Sequence, residues 1–381
     1  MLHVHVIDEL KTGGAQTHLV TMLREAILDS GVEHHVVSLF GDGEISGQIQ
    51  ELGIQVHILD VRPLVRKRRF LAASREVQTL LGKLRPDAIE AHLTLSRFIA
   101  LFAAWRAGVP LRIAFEHGDV YLNSWKFRCA NFVAQLFAHR IVVCSEALRE
   151  WVHHTHGTWR SKLVVLHNCV DLTRFSPCGP KASDIAFSSE TTVFCAVGTL
   201  GRGVNKRVDV CIRALAGARS AGVDAKLVVC GDGEQRRELE TLAVSLGVGS
   251  DVMFLGTRSD VPSVLRACDV FCHAAPWEPF GIVALEAMAV GLPIVVPDAG
   301  GIREILEGGN GGLLYPVLND HALSQAMVRL AHDYGLRESL KAKGRRIVEE
   351  RFSVQRYLTS LYQACGIDVP SRIVPLTGAI R

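Results

Sequence analysis

Short runs of β-branched and apolar residues alternate with longer helical patterns from one end of this chain to the other. Residues 4–8, 35–39, 55–59, 88–91, 112–116 and 140–144 read as strands in the first half. Residues 192–197, 226–230, 252–255, 270–273, 293–297 and 312–315 read as strands in the second. Helical spacing falls between them, for example over 17–29, 71–84, 97–107, 208–221, 235–246, 261–267 and 322–333. A connection between parallel strands must cross the sheet and is usually a helix, so this alternation predicts parallel sheets with helices on both faces. The expected fold class is α/β. The 381 residues exceed what one core usually holds, and residues 176–190, with Pro177, Gly179, Pro180 and several serines, read as a linker. The domains expected are therefore a Rossmann-like unit over 1–178, a linker over 179–191, a second Rossmann-like unit over 192–350, a terminal helix over 351–365 and a tail over 366–381. In such sheets ligands bind beyond the carboxyl ends of the strands, which places the expected site in a cleft between the domains.

Composition narrows the class. Hydrophobic residues make up 48% and charged residues 21%, as in a globular protein with a large interior. No apolar run approaches the roughly 18 residues that mark a bilayer-spanning helix. The start, Met1-Leu2-His3-Val4-His5-Val6-Ile7-Asp8, lacks a basic region and reads as a first strand rather than a signal peptide. The ten cysteines form no CxxC pair, which suits reduced, buried thiols in a cytoplasmic protein better than disulfides or zinc. A net charge of +3 gives no argument for nucleic acid as a partner.

The chemistry concentrates in Glu278-Pro279-Phe280-Gly281-Ile282-Val283-Ala284-Leu285-Glu286. A carboxylate precedes a helix start at Gly281 and a second follows about one turn in. The first amides of a helix lack internal partners and sit at the positive end of its dipole, so they can hold a phosphate. At about 1.5 Å per residue, Glu286 lies roughly 6 Å beyond them, within reach of a ribose attached to that phosphate. Glu278 then faces whatever hangs off the other side, which is the outline of a nucleotide-sugar site. Elsewhere, Gly13-Gly14 between a strand and a helix admits close approach of a phosphate, or is simply a tight turn. His117, followed by Gly118 at a strand's carboxyl end, is suited to a sugar hydroxyl or to proton movement. Arg202 and Lys206, after the Val197-Gly198 turn, offer cations for a departing diphosphate, or are solvated loop residues. Cys230-Gly231-Asp232-Gly233 leaves room for a nucleotide, and Phe254-Leu255-Gly256-Thr257 reads as the edge of a base pocket. Asn168 and Asp171 suit a turn anchored by Phe175.

Taken in order, these segments resemble the retaining glycosyltransferases of family 4, which have the GT-B fold: two Rossmann-like domains with parallel sheets facing across a central cleft. The resemblance runs from Gly13–Ala15 through His117-Gly118, Asn168–Phe175, Lys206, Gly231–Gly233 and Glu278–Val295 to the Gly300–Glu304 turn, and on to Arg351-Phe352-Ser353 before a closing helix. The family's E-x7-E motif matches Glu278 and Glu286 without a gap. The resemblance implies catalytic roles for His117, Lys206 and Glu278. It implies donor binding by Gly13, Gly14, Arg202, Lys206, Gly231, Gly256, Glu278, Phe280, Gly281, Ile282 and Glu286. Gly14 would give its amide to the diphosphate, His117 would contact the transferred sugar, Lys206 would hold the leaving group, and Glu278 would hold sugar hydroxyls. Amides at Phe280–Ile282 would complete the phosphate cradle, and Glu286 would grip the ribose. It implies retention of anomeric configuration, a nucleoside-diphosphate sugar as donor, and no cofactor or metal. Two positions depart from the pattern: Thr199 stands where the family usually carries arginine, and Lys206-Arg207 replaces the usual Lys-Gly. Arg202 or Arg207 is the candidate replacement for that cation.

One charge cluster stands apart, Arg66, Lys67, Arg68 and Arg69 beside Val65, Phe70 and Leu71. It fits peripheral contact with an anionic membrane on its cytoplasmic side, or a solvated helix start. The function expected is transfer of a hexose-type sugar to an acceptor hydroxyl in bacterial polysaccharide, glycolipid or glycosylated natural-product assembly. The acceptor would be a saccharide, a lipid-linked saccharide or a small molecule. The alternatives are a nucleotide-sugar-binding protein with little turnover and another GT-B enzyme such as a sugar-nucleotide epimerase. A glycosidase is disfavoured, because the glutamates accompany phosphate-binding features instead of flanking a glycosidic bond.

Overall fold

The computed structural model describes residues 1–28, 31–118, 125–201, 206–306 and 311–366. It divides into two units, Met1–Cys169 with the segment from Val354 onward, and Val170–Ser353.

The first unit is built on strands β1 (Leu2–Ile7), β2 (Glu33–Ser38), β3 (Gln55–Ile58), β4 (Ala88–His92), β5 (Leu111–Glu116), β6 (Arg140–Val143) and β7 (Leu163–Val165). They pair in the order β3-β2-β1-β4-β5-β6-β7, parallel throughout. The strand β7 was not anticipated; three residues are too few for a period to register. Central strands covered on both faces explain why β1 and β4 show near-continuous burial instead of alternation. One face packs against the helices Gly14–Ala26 and Val354–Cys365. Tyr357, Leu358, Leu361 and Tyr362 of the latter share a core with Ile7, Leu19, Ile113 and Phe115. Arg351, expected to open this helix, instead ends the preceding one, Tyr334–Arg351, and the terminal helix begins at Val354.

The second unit holds β8 (Thr192–Val197), β9 (Ala225–Cys230), β10 (Val252–Gly256), β11 (Val270–Cys272), β12 (Ile294–Pro297) and β13 (Gly312–Tyr315), all parallel, in the order β10-β9-β8-β11-β12-β13. Its core gathers Phe194, Leu215, Leu227, Val229, Val270 and Val295 under the packed helices Val208–Ser220 and Asp320–His332.

The boundary differs from the one expected. Residues 176–190 are folded onto the second unit and do not serve as a linker. Arg266 donates to the carbonyls of Ser176 (3.0 Å) and Pro180 (2.9 Å), and the Ala182 N–H donates to Ser263 O at 3.0 Å. Arg258 binds Asp184 at 2.6 Å, and Ala182 and Ile185 are buried. Proline and glycine marked irregular backbone there, but irregular backbone with its carbonyls satisfied by arginine packs as well as a helix does. The chain changes units at Cys169–Val170 and at Ser353–Val354. Val170 and Ser353, at the two ends of the second unit, pair as a parallel bridge, with Val170 N–H donating to Phe352 O at 2.9 Å.

Candidate active site

In the second unit the loop after β11 runs through His273 to Gly281, which caps the helix Ile282–Ala289. Gly281 has φ of +96°, and a Cβ there would lie 2.9 Å from Ile302 Cγ1, so both backbone and space call for glycine. The helix buries Ala284, Leu285, Ala287, Met288 and Ala289, so it is a core element. No residue lies a turn upstream in helical conformation to accept from its first amides, Ile282 and Val283. At its other end Arg345 donates to Ala289 O and, at 3.1 Å, to Phe175 O. Phe280, fully buried, packs edge-on against Phe352 with ring centroids 5.8 Å apart.

Glu278 is only 8% exposed. Its Oε1 accepts a hydrogen bond from Lys206 Nζ, and His273 Nε2 lies 3.1 Å from the same oxygen. Burial pushes this carboxyl up, but Lys206 beside it and the His273 contact outweigh burial and hold it down at about 2. Glu278 is therefore an anion at any working pH. Its backbone carbonyl accepts from Gly301 N–H at 2.9 Å, which fixes the Gly300-Gly301 turn against the loop. Glu286, part-buried on the helix, behaves oppositely: burial pushes it up to about 7, with Arg174 offsetting part of the shift. An ionised carboxylate thus stands before the helix start, and a turn later one raised to about 7.

The neighbouring loops are laced backbone to backbone. Gly231 N–H donates to Gly256 O (2.8 Å), Gly198 N–H to Cys230 O (2.9 Å) and Leu200 N–H to Asp232 O (2.8 Å). A Cβ on Gly231, whose φ is +146°, would fall 2.0 Å from Gly198 O, so this crossing exists only with glycine. Gly256 closes β10 beside Arg236, which reaches Asp232 at 3.1 Å and Phe254 O at 3.3 Å. Arg207 is held by both oxygens of Asp209, at 2.8 and 2.9 Å, so its charge is already matched. Arg202 lies outside the described residues.

In the first unit His117 follows β5 directly, at its carboxyl end. The turn is pinned by Glu116, which accepts from Gly118 N–H at 3.0 Å and forms a buried ion pair with Arg97. His117 Nε2 lies 3.2 Å from His92 Nδ1, and the two rings stack at 5.5 Å. Burial pushes His117 down to about 4, with Glu116 opposing and Arg97 assisting, so the ring is neutral. Gly13 caps the helix Gly14–Ala26, and a Cβ on it would meet Gln16 Oε1 at 2.5 Å. Gly14 opens that helix, where its amide lies in the unsatisfied first turn.

The model of the glycosyl transferases group 1 matches residues 181–347, and that of Glycosyltransferase Family 4 matches residues 12–174. Between them they span both units. The chain belongs to the family 4 glycosyltransferases, with the GT-B fold. An uncharacterized glycosyltransferase of Methanocaldococcus jannaschii is 27% identical over 320 residues, 78% of this chain and 81% of the relative. The N-acetylgalactosamine-N,N'-diacetylbacillosaminyl-diphospho-undecaprenol 4-alpha-N-acetylgalactosaminyltransferase of Campylobacter jejuni is 27% identical over 354 residues, 89% of this chain and 92% of its own length. The crystal structure of Anabaena HepE in complex with UDP superposes with a TM-score of 0.82 at 22% identity, covering 96% of this chain and all of that one, a likeness of fold.

Within this glycosyltransferase, the structure brings Lys206 and Glu278 together and puts Phe280, Gly281, Ile282 and Glu286 on or beside one helix. Gly231 and Gly256 meet in the adjoining loops of the same unit, while Gly13, Gly14 and His117 belong to the first. Three participants were not singled out from the sequence. His273 touches Glu278, a contact signalled only by a polar residue closing an otherwise apolar strand. Arg174 acts on Glu286 from the Asp171 turn, whose Oδ1 accepts from Thr173 N–H (2.9 Å) and Arg174 N–H (3.0 Å). His92 orients His117, and its sign was a histidine alternating with Glu90 along β4.

Proposed function

We propose that this glycosyltransferase moves a hexose-type sugar from a nucleoside-diphosphate sugar to an acceptor hydroxyl with retention of anomeric configuration. The observation that carries the reading is the set formed by Lys206, Glu278 and the start of the helix Ile282–Ala289, with Glu286 one turn on. The helix amides and Lys206 hold the diphosphate; Glu278 holds hydroxyls of the sugar and Glu286 those of the ribose. The bond from the anomeric carbon to the diphosphate oxygen breaks, the acceptor oxygen attacks from the same face, and its proton passes to the leaving phosphate. His117 contacts the transferred sugar. Diphosphate charge is met by Lys206 and the helix end without a divalent ion. Of the two candidate extra cations, the Asp209-bound Arg207 is the weaker, which leaves Arg202.

The acceptor side rests on the first unit. Arg66, Lys67, Arg68 and Arg69 are exposed beside Leu71, itself 65% exposed. A groove of about 510 Å³ next to them is lined by Phe70, Leu95, Phe98, Trp125, Phe127 and Val133, with Arg68 at its edge. Trp125, in this lining, is 70% exposed. Among the described residues no helix is long and apolar enough to cross a membrane. A basic rim on an apolar groove supports peripheral contact with the anionic cytoplasmic leaflet and a lipid-linked acceptor in polysaccharide or glycolipid assembly. The Campylobacter relative is named for a diphospho-undecaprenol-linked acceptor, and the HepE structure holds UDP.

A second reading, a nucleotide-sugar binder with little turnover, is favoured by Thr199 in the arginine position and by the matched charge of Arg207. Incubation with a panel of UDP- and GDP-sugars, with and without lipid-diphosphate saccharides, separates the two. Release of nucleoside diphosphate with an α-linked product supports transfer; binding without release supports the second reading.

A further inference from the structure

The first unit contains a second concentration of polar groups, on the sheet face covered by the terminal helix. Parallel pairing sets His5 of β1 directly beside Glu90 of β4, and Glu90 and His92, two residues apart, project to the same face. His3, His5, Glu90 and His92 are all buried, Glu90 to 1% exposure. A carboxylate so placed needs a compensating charge. His5 Nδ1 approaches Glu90 Oε2 at 3.1 Å and His92 Nε2 approaches the same oxygen at 4.0 Å. None of these three atoms makes a hydrogen bond, although all are buried. Three lone-pair-bearing atoms thus converge, mutually within 4.8 Å.

We propose that His5 Nδ1, Glu90 Oε2 and His92 Nε2 bind one divalent transition-metal ion of the zinc class in the centre of the first sheet. Two imidazoles and a carboxylate are a zinc-type donor set, and bonds of about 2.1 Å put tetrahedral ligands about 3.4 Å apart. The observed 3.1 and 4.0 Å bracket that spacing. The outer contacts are those of metal-bound histidines, each with its second nitrogen engaged: His5 Nε2 with His34 Nδ1 at 3.0 Å, and His92 Nδ1 with His117 Nε2 at 3.2 Å. His3 Nδ1, also unpaired, lies 3.9 Å from the other carboxylate oxygen, Glu90 Oε1. The ion neutralises Glu90 and fixes the tautomer of His92. With Nε2 on the metal, the His92 proton sits on Nδ1 and is donated to His117, which holds that ring in one orientation. The site stands in the interior of the first unit and is independent of how the donor diphosphate is held.

The test uses untagged full-length protein, analysed for metals after exhaustive dialysis, and the same protein produced with cobalt replacing zinc. The expected result is about one zinc per chain and the visible d–d absorption of low-coordinate cobalt. A His92→Cys variant should keep the ion and add a thiolate-to-cobalt charge-transfer band, while Glu90→Leu with His5→Ala should lose it. Zinc far below stoichiometry in the wild-type protein, with no cobalt spectrum, overturns the proposal whatever the variants do. Stoichiometric metal with a cobalt spectrum unchanged in His92→Cys overturns it equally, because the ion then sits elsewhere.

Discussion

Replacing Glu286 by glutamine should make the second unit more stable at neutral pH while weakening its grip on nucleotide. Burial raises this carboxyl from an ordinary 4.5 to about 7, with Arg174 opposing. Between those two values the unfolded chain has released a proton that the folded one still holds. Stability therefore falls as pH rises through that window and levels off above it. At about 1.36 kcal/mol per tenfold, the gap costs on the order of 3 kcal/mol at pH 8, a ceiling because the side chain is only part-buried. For a unit of this size that is about 5–10 °C in melting temperature. Glutamine keeps the shape and cannot ionise, so Glu286→Gln should melt higher at pH 8 and level with wild type near pH 4.5. A ribose hydroxyl donating to Glu286 favours the ionised form, so nucleotide binding at pH 7 should expel up to about half a proton. Calorimetry in buffers of different ionisation enthalpy measures that release, which should vanish in the variant along with about tenfold in affinity. Equal proton release in both proteins, or parallel melting curves across pH 4.5–8, would refute the reasoning.

Lys206→Met strips the buried Glu278 of its cation and should cost about 2 kcal/mol, less than a fully buried pair because Lys206 is partly exposed, with UDP or GDP affinity down at least about tenfold by calorimetry. Gly281→Ala forces a side chain into a left-handed position against Ile302 and should cost about 1–2 kcal/mol by thermal denaturation, with weaker nucleotide binding from the displaced helix start. Reversing charge with Arg66→Glu and Lys67→Glu should abolish flotation with anionic vesicles, at about 1 kcal/mol per basic residue lost, and leave nucleotide affinity unchanged; binding indifferent to anionic lipid would remove the membrane contact.

Much of the fold was legible because a parallel sheet buried on both faces writes itself as continuous apolar runs, such as 192–197 and 225–230. The Gly281 helix start was legible because only glycine fits that backbone, and Glu278 and Glu286 because one stands just before that start and the other about one turn beyond it. What escaped depended on contacts distant in sequence. Arg266 turns a proline- and serine-rich stretch into packed structure 86 residues away, which no local signal reports. His273 matters through Glu278, Arg174 through Glu286, and His5 through a strand neighbour 85 positions on. His117 was singled out by its place at a strand end; the histidines behind it were hidden among sixteen.

The most direct measurement is hydrogen–deuterium exchange of the intact protein with and without saturating nucleoside diphosphate, using whichever of UDP and GDP raises the melting temperature. The account predicts slowed exchange at the amides of Gly281, Ile282 and Val283, with the effect lost in Lys206→Met at matched nucleotide concentration. A nucleotide that binds tightly yet leaves exchange at those amides unchanged contradicts it.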